Sequence, residues 1–293
     1  GLLTAARAFS AAGTDGFAVA TPEEGIALRQ AGLDERVLVL QGAMNAYELD
    51  AARDHALELV LHDRSQLDVL EAWGAGLPDA RLRVWLKVDT GMHRAGLPPE
   101  QIAEARARLA DCAAVDAQVG LMTHFGRADE PDQSVTEAQI DVFHAVADNW
   151  RGETSLCNSA ALLGCDAAGG DWVRPGIMLY GGNPFIFGAA SRYELKPAME
   201  LKTVLIAVRE VKRGEPIGYG GRFVAPETMP VGVAAVGYGD GYPRHAPDGT
   251  PILINGRRAQ IVGRVSMDMV TVDLRGLKAC VGDEVECWGS GLP

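Results

Sequence analysis

Several strand-like runs close on polar residues of types that could do chemistry. Lys87, His124 and Arg174 lie within or at the end of apolar, β-branched runs, and Arg94 follows shortly after Asp89. His62 and the pair Asn158-Ser159 close two further runs. In Arg83-Val84-Trp85-Leu86-Lys87-Val88-Asp89, alternate residues of a strand face opposite ways. Val84, Leu86 and Val88 suit a face packed on helices, which turns Trp85, Lys87 and Asp89 inward. An ammonium facing inward is costly unless paired or modified, so Lys87 either bridges Asp89 or serves a ligand. His124 is a ligand group or a satisfied core histidine. Arg174, ahead of Pro175-Gly176-Ile177, is either a surface ion pair or part of an anion site with free backbone N–H groups. Further on, Tyr219 within Gly218-Tyr219-Gly220-Gly221-Arg222 and Tyr238 within Gly237-Tyr238-Gly239-Asp240-Gly241-Tyr242 sit among glycines. Such glycines let a backbone approach a ligand closely, and they also suit plain turns.

The elements that must position these residues alternate. Runs predicted as strands cover 16–20, 36–41, 58–62, 82–89, 118–124, 154–158 and 172–179, with amphipathic stretches between them. Strand alternating with helix implies a parallel sheet, in a barrel or an open doubly wound form. No Gly-x-Gly-x-x-Gly follows the first run, which removes the main support for a dinucleotide-binding open sheet. In a barrel, the polar residues that close the strands converge at one rim, where catalysis is built. Helix starts are marked by Thr21-Pro22-Glu23-Glu24, Asn45-Ala46-Tyr47-Glu48 and Ser65-Gln66-Leu67-Asp68. Beyond Pro184, strand-like runs at 199–208, 231–236, 251–254 and 271–274 follow without helices, so a second, β-rich domain begins near residue 194. Asn255-Gly256 signals a hairpin whose connection Arg257-Arg258 is expected to lengthen.

At 293 residues, two domains are the natural expectation. A net charge of −12 disfavours nucleic acid and anionic membrane surfaces, which leaves a small molecule as the expected partner. No apolar run approaches the roughly 20 residues of a membrane helix. The five cysteines are odd in number, scattered and without close pairs, so neither a disulfide framework nor a metal site is expected. A reducing cytoplasm fits that pattern. The opening Leu2-Leu3-Thr4-Ala5-Ala6 reads as helix interior, and the end at Trp288 to Pro293 follows directly on a strand, so both ends are expected to be cuts.

The ordered set of motifs resembles alanine racemase. It comprises Trp-Leu-Lys-Val-Asp-Thr-Gly-Met-His-Arg-Ala-Gly at 85–96, Leu-Met-Thr-His-Phe-Gly-Arg-Ala-Asp-Glu at 121–130, Asn-Ser-Ala-Ala at 158–161 and the segment 171–181. Gly-Tyr-Gly at 218–220, Gly-Tyr-Gly-Asp-Gly-Tyr-Pro-Arg at 237–244 and Val-Gly-Arg-Val-Ser-Met-Asp at 262–268 continue it. The resemblance implies a (β/α)8 TIM-type barrel, here without its first strand, over 1–194, and a mainly β C-terminal domain over 195–293. It also implies bound pyridoxal 5′-phosphate and a head-to-tail homodimer that interconverts L- and D-alanine.

The resemblance further implies roles. Arg174 meets the pyridine nitrogen, and Arg94 meets the cofactor's phenolic oxygen and the substrate carboxylate. Lys87 steadies Arg94, in some relatives as a carbamate, and His124 orients Arg174. Asn158 and Ser159, with the backbone of Gly176 and Ile177, hold the phosphate. Tyr219 is one catalytic base and reaches the partner subunit's site. Met267 meets the substrate carboxylate through its backbone. Arg244 and Arg264 line the entrance, with Tyr238 and Asp268 in support. No metal is implied. The lysine that carries the cofactor, also the second base, is expected just before Gly1, and a phosphate-binding tyrosine beyond Pro293, so the polypeptide as it stands is expected to be a poor catalyst. Racemases of serine or of broader range share this framework. A non-catalytic pyridoxal-phosphate carrier would need no tyrosine base, and an aldolase or phosphosugar enzyme would leave Arg174 and the tyrosines unexplained.

Overall fold

The computed structural model describes residues 1–77, 81–186 and 193–292. Packing divides them into two compact units. The first holds Gly1–Gly176 together with Pro184, Phe185 and Ile186; the second holds Ile177–Asn183 and the β-rich remainder. The chain thus leaves the first unit after Gly176, returns to it at Pro184, and lies wholly in the second unit over the described residues from Tyr193 on.

In the first unit the strands are β1 (Gly16–Val19), β2 (Arg36–Val39), β3 (Glu58–Leu61), β4 (Val84–Lys87), β5 (Gly120–Met122) and β6 (Thr154–Ser155). They form one parallel sheet in strict chain order. A doubly wound sheet reverses its strand order part-way, whereas unbroken order is the winding of a TIM-type barrel. The helices between strands are α1 (Leu2–Ala11), α2 (Pro22–Gln30), α3 (Ala46–Asp54), α4 (Arg64–Gly74), α5 (Ile102–Asp111), α6 (Ser134–Ala147) and α7 (Ser159–Gly164). The run expected as a seventh strand at 172–179 is reduced to a single parallel bridge from Trp172 to Ser155, and Ile177–Tyr180 turns into a 3-10 helix. Pro175 explains the shortening, since it cannot donate to a ladder.

Helix starts follow the side-chain chemistry. Thr21 and Glu24 form a reciprocal capping box ahead of α2, and Asn45 caps α3 by accepting from Glu48 N at 3.0 Å. The cap of α4 is Asp63 rather than the expected Ser65. The Asp63 carboxylate accepts from Ser65 N at 2.9 Å and boxes with Gln66, so the helix begins two residues earlier.

The two faces of the sheet carry separate cores, as the parity of β4 requires. Val84, Leu86 and Val88 join the large helix-side cluster. Trp85 packs inward with Val60 and Met122, against Leu38 and Trp172. The Trp85 indole lies across Gly120 on the neighbouring strand, where an added Cβ would fall 2.3 Å from the ring. Its Nε1 donates to Glu58 at 2.8 Å, and Glu58 in turn receives Arg36, whose guanidinium stacks on Trp172 at 4.4 Å. These groups lie at the strand starts, opposite the ends that carry Lys87 and His124.

In the second unit, β7 (Leu201–Val211), β10 (Met229–Ala234), β11 (Pro251–Ile254), β12 (Arg257–Ile261), β13 (Val270–Asp273) and β14 (Glu284–Trp288) close an antiparallel barrel in the order β10-β13-β12-β11-β14-β7. The short pair β8 (Pro216–Ile217) and β9 (Phe223–Val224) stands apart. Closure removes sheet edges, and Leu205, Ile252, Ile261, Val272 and Val285 fill the interior. The β11–β12 hairpin turns on Asn255 and Gly256 alone, at φ 47° and 73°, with Ile254 opposite Arg257. Arg257 and Arg258 belong to the strand, so the connection is tighter than expected.

Replacing Thr21 with alanine is expected to remove about 1 kcal/mol of stability through the lost cap. Gly120→Ala, which forces the Trp85 ring to move, should cost more, about 1–3 kcal/mol. Urea denaturation midpoints of the two variants check both the order and the sizes.

Candidate active site

The predicted site residues fall into two groups, one in each unit. The first group gathers at the C-terminal ends of β4, β5 and β6. Lys87, the last residue of β4, is half-buried and has no hydrogen-bond or ion-pair partner among the described residues. Burial, then the charges of Arg94 and Arg174, bring its pKa down to about 8, with Asp89 acting weakly the other way. Asp89 does not bridge Lys87. Its carboxylate accepts from Gly91 N and His93 N at 3.0 Å and pairs with His93 Nδ1 at 3.0 Å. Burial would raise the Asp89 pKa, but those N–H groups outweigh it and hold the carboxyl below its usual range.

His124 follows β5 and is half-buried. Burial first, then Arg174, Arg94 and Lys87, push its pKa down to about 4, so the imidazole is neutral at physiological pH. No hydrogen bond joins its ring to Arg174. The Arg174 guanidinium is instead held by Ser155 Oγ, by the carbonyl of Thr123 and, at 3.4 Å, by that of Leu156. Desolvation lowers Arg174 to about 10, and it remains a cation at neutral pH. Arg94 is exposed, and no described residue bonds its guanidinium. Four basic groups thus influence one another electrostatically without a carboxylate, among the described residues, bonded to any of them. Neutral His124 and a weakened hold of Lys87 on its proton relieve part of their repulsion, and an anion from outside would relieve the rest, so the arrangement fits an anionic ligand.

Beside them, Asn158 acts as the cap of α7, accepting from Ala161 N at 3.0 Å and donating to Phe125 O at 3.3 Å. Ser159 is buried, and its Oγ accepts from Gly176 N at 2.8 Å, so the serine and the Pro175-Gly176 segment are joined. Ile177 packs with the second unit and is 57% exposed.

The second group lines one open groove of about 800 Å³, formed by Tyr219, Arg222, Tyr238, Arg244, His245, Arg264, Val265 and Met267. Tyr219 lies on the loop between β8 and β9, bracketed by Gly218 and Gly220 at φ 73° and 72°. That loop runs against Arg264, and the Tyr219 side chain is 71% exposed with no hydrogen-bond partner among the described residues. Tyr238, after β10, carries Arg244 over its ring at 5.6 Å. Met267, after β12, gives its carbonyl to Gly239 N at 2.7 Å and leaves its own amide without a partner among the described residues. Exposed Asp268 neighbours Gly239. The remaining tyrosine of the second glycine motif belongs to the core instead. Tyr242 is buried, stacks on Trp288 at 5.7 Å, and burial raises it to about 12.

Residues 1–184 match the family profile described as alanine racemase, N-terminal domain, and residues 198–292 that described as alanine racemase, C-terminal domain. The chain belongs to the alanine racemase family. An alanine racemase from Shewanella sediminis is 47% identical over 100% of this chain and 81% of its own length. One from Nitrosococcus oceani is 51% identical over 95% and 78%, and a catabolic alanine racemase from Pseudomonas putida 49% over 94% and 76%. The crystal structure of the biosynthetic alanine racemase from Pseudomonas aeruginosa superposes with a TM-score of 0.90 at 45% identity, covering 95% of this chain and 77% of that one. This chain is accordingly an amino-acid racemase.

Four residues around the racemase site escaped the sequence reading: Thr90, Thr123, Gln139 and Ser155 in the first unit. Each is buried and polar. Thr123 flanks His124, and Ser155 lies within the run predicted as a strand at 154–158, a signal that parity could have supplied; Gln139, inside a helix, offered none. His245 and Arg222 were likewise missed in the groove, where Arg222 is tied to Asp248 and to Gly263 O, each at 3.0 Å.

The unfolded chain, with an ordinary histidine pKa near 6.5, binds a proton that folded His124 refuses. Stability should therefore fall as pH drops from about 6.5 to about 4, with no contribution from this group above that window. His124→Gln is expected to flatten the stability profile there in cofactor-free protein, and the imidazole resonances of His124 should titrate near pH 4.

Proposed function

We propose that this racemase interconverts L- and D-alanine using bound pyridoxal 5′-phosphate, held by the first unit's cation cluster. The observation that carries the reading is the convergence of Lys87, Arg94, His124 and Arg174 without a bonded carboxylate among the described residues. When bound, this cofactor supplies an electron sink that makes the substrate α-proton removable. Arg174 keeps its own proton at neutral pH and so donates to the pyridine nitrogen rather than protonating it, which keeps the sink shallow and limits side reactions. Arg94, exposed and unpaired among the described residues, takes the phenolic oxygen and the substrate carboxylate. Lys87 sits behind it as a nearby positive charge. Ser159, joined to Gly176, with Asn158 and the amide of Ile177, serves the phosphate.

Racemisation removes a proton from one face of the α-carbon and returns one to the other, so two bases are required. Tyr219, exposed on its glycine-flanked loop, serves one face and acts in the partner subunit's site of a head-to-tail homodimer. The resemblance assigns the other face to the lysine that carries the cofactor. Met267, whose amide has no partner among the described residues, meets the substrate carboxylate through its backbone, and Arg244 with Tyr238, Arg264 and Asp268 lines the entrance. A non-catalytic cofactor carrier would have no use for this groove. The D-alanine formed would serve the cell wall, or its reverse use alanine catabolism, in the cytoplasm.

The full-length protein loaded with pyridoxal 5′-phosphate is expected to exchange the α-proton of both alanine enantiomers with solvent deuterium, faster than that of serine; no exchange with alanine overturns the reading. Tyr219→Phe should lower kcat by at least about 100-fold in one direction, measured by chiral assay both ways. Unchanged turnover in both directions removes Tyr219 from the role of base.

A further inference from the structure

Gln139 lies on α6, 2% exposed, and every polar atom of its side chain is used within the first unit. Nε2 donates to Thr90 Oγ1 at 3.0 Å and to the carbonyl of His124 at 3.2 Å, and Oε1 accepts from Gly126 N at 3.0 Å. Thr90 is 8% exposed and lies 2.8 Å from the hydroxyl of Thr123, which is 1% exposed. The Thr123 hydroxyl donates to Val88 O at 3.0 Å, so it must accept from Thr90, whose oxygen in turn accepts from Gln139. The network therefore runs one way: amide of Gln139 to Thr90 to Thr123 to the backbone of β4. The other end of Thr123, its carbonyl, receives Arg174.

The bonds touch both sides of the cation cluster. Val88 adjoins Lys87, Thr90 opens the loop that carries Arg94, and His124 and Gly126 belong to the segment after β5. The network itself carries no charge. Basic groups that repel one another need backbone anchors that do not neutralise them, and a carboxylate at position 139 would both add a charge and lose the donors to Thr90 and to His124 O.

We propose that Gln139 is a positioning residue of the racemase: through Thr90 and Thr123 it fixes the ends of β4 and β5, so that Lys87, His124 and Arg174 converge before an anion arrives. The inference rests on the proposed function for its catalytic consequence, but its structural part stands in the cofactor-free protein.

The test compares Gln139→Met, Thr90→Val and the double variant in the full-length protein. Each single variant should lower kcat for alanine about 10- to 100-fold, with KM changed less, because misplacement by a fraction of an ångström is felt in the reacting geometry. In cofactor-free protein, the His124 resonances should titrate at higher pH than in the wild type, as the cluster loosens. The double variant should lose little more than the worse single one, since both break one chain. Wild-type titration of His124 in either folded variant, or additive losses in the double variant, overturns the proposal. If Gln139→Met does not fold, Thr90→Val reads the same titration. Failure of the wild type to racemise alanine, with the His124 shift still present in the variants, sinks the proposed function and not the positioning role.

Discussion

A group of basic side chains with no bonded carboxylate among the described residues is the constraint around which the first unit is organised. Protonated Lys87, His124 and Arg174 would each be more comfortable in water or beside a carboxylate, with exposed Arg94 adding to their repulsion, and burying a charge without a partner is among the costlier things a fold can do. Asp89, two residues beyond Lys87, is taken up instead by two backbone amides and His93. His124 responds by giving up its proton, Lys87 by holding its proton less tightly, and Arg174 by leaning on neutral oxygens. A site in this condition has its counter-charge reserved for a ligand. An anion that enters meets Lys87 and Arg94, whose charged ends have no internal partner among the described residues, and an Arg174 bonded only to neutral oxygens.

The surrounding fold makes that condition tolerable. Sequential parallel strands deliver their C-terminal ends to one rim, helices cover the outer face, and Trp85 with Trp172 and the Arg36–Glu58 pair fill the interior toward the strand starts. The large apolar core supplies stability that the cluster itself consumes. Neutral side chains with both donors and acceptors, Gln139, Thr90, Thr123 and Ser155, then hold the rim in place. A uniformly charged scaffold could not do so without cancelling the field.

The second unit solves a different problem. A closed six-stranded barrel is rigid, and the loops after β8, β10 and β12 place polar groups around one groove. The two tyrosines of the second glycine motif illustrate the division: Tyr238 lies in the groove, while Tyr242 enters the core against Trp288. In the sequence each follows a glycine, but Tyr238 is followed by Gly239 and Tyr242 by Pro243.

Much of this was legible in the chain itself. The alternation of Val84-Trp85-Leu86-Lys87-Val88 assigned each side chain to its face, because the two-residue period of a strand is local geometry. The caps at Thr21 and Asn45 are local too, and so is the Asn255-Gly256 turn, although the expected lengthening at Arg257 ignored how well two residues alone match the strand twist. Tyr219, Tyr238, Arg244, Arg264 and Met267 are all recognisable along the chain before their meeting in the groove. What only the tertiary structure decided is which of several possible partners each group takes. Whether Lys87 bridges Asp89 depended on where His93 points, and what orients Arg174 depended on Ser155 and Thr123 rather than on His124. Gln139 gains its role from Thr90, 49 residues away. Sequence states which groups are able to donate, accept or carry charge; burial and competition among neighbours settle which of those capacities are used, and these exist only once the strands have been brought side by side.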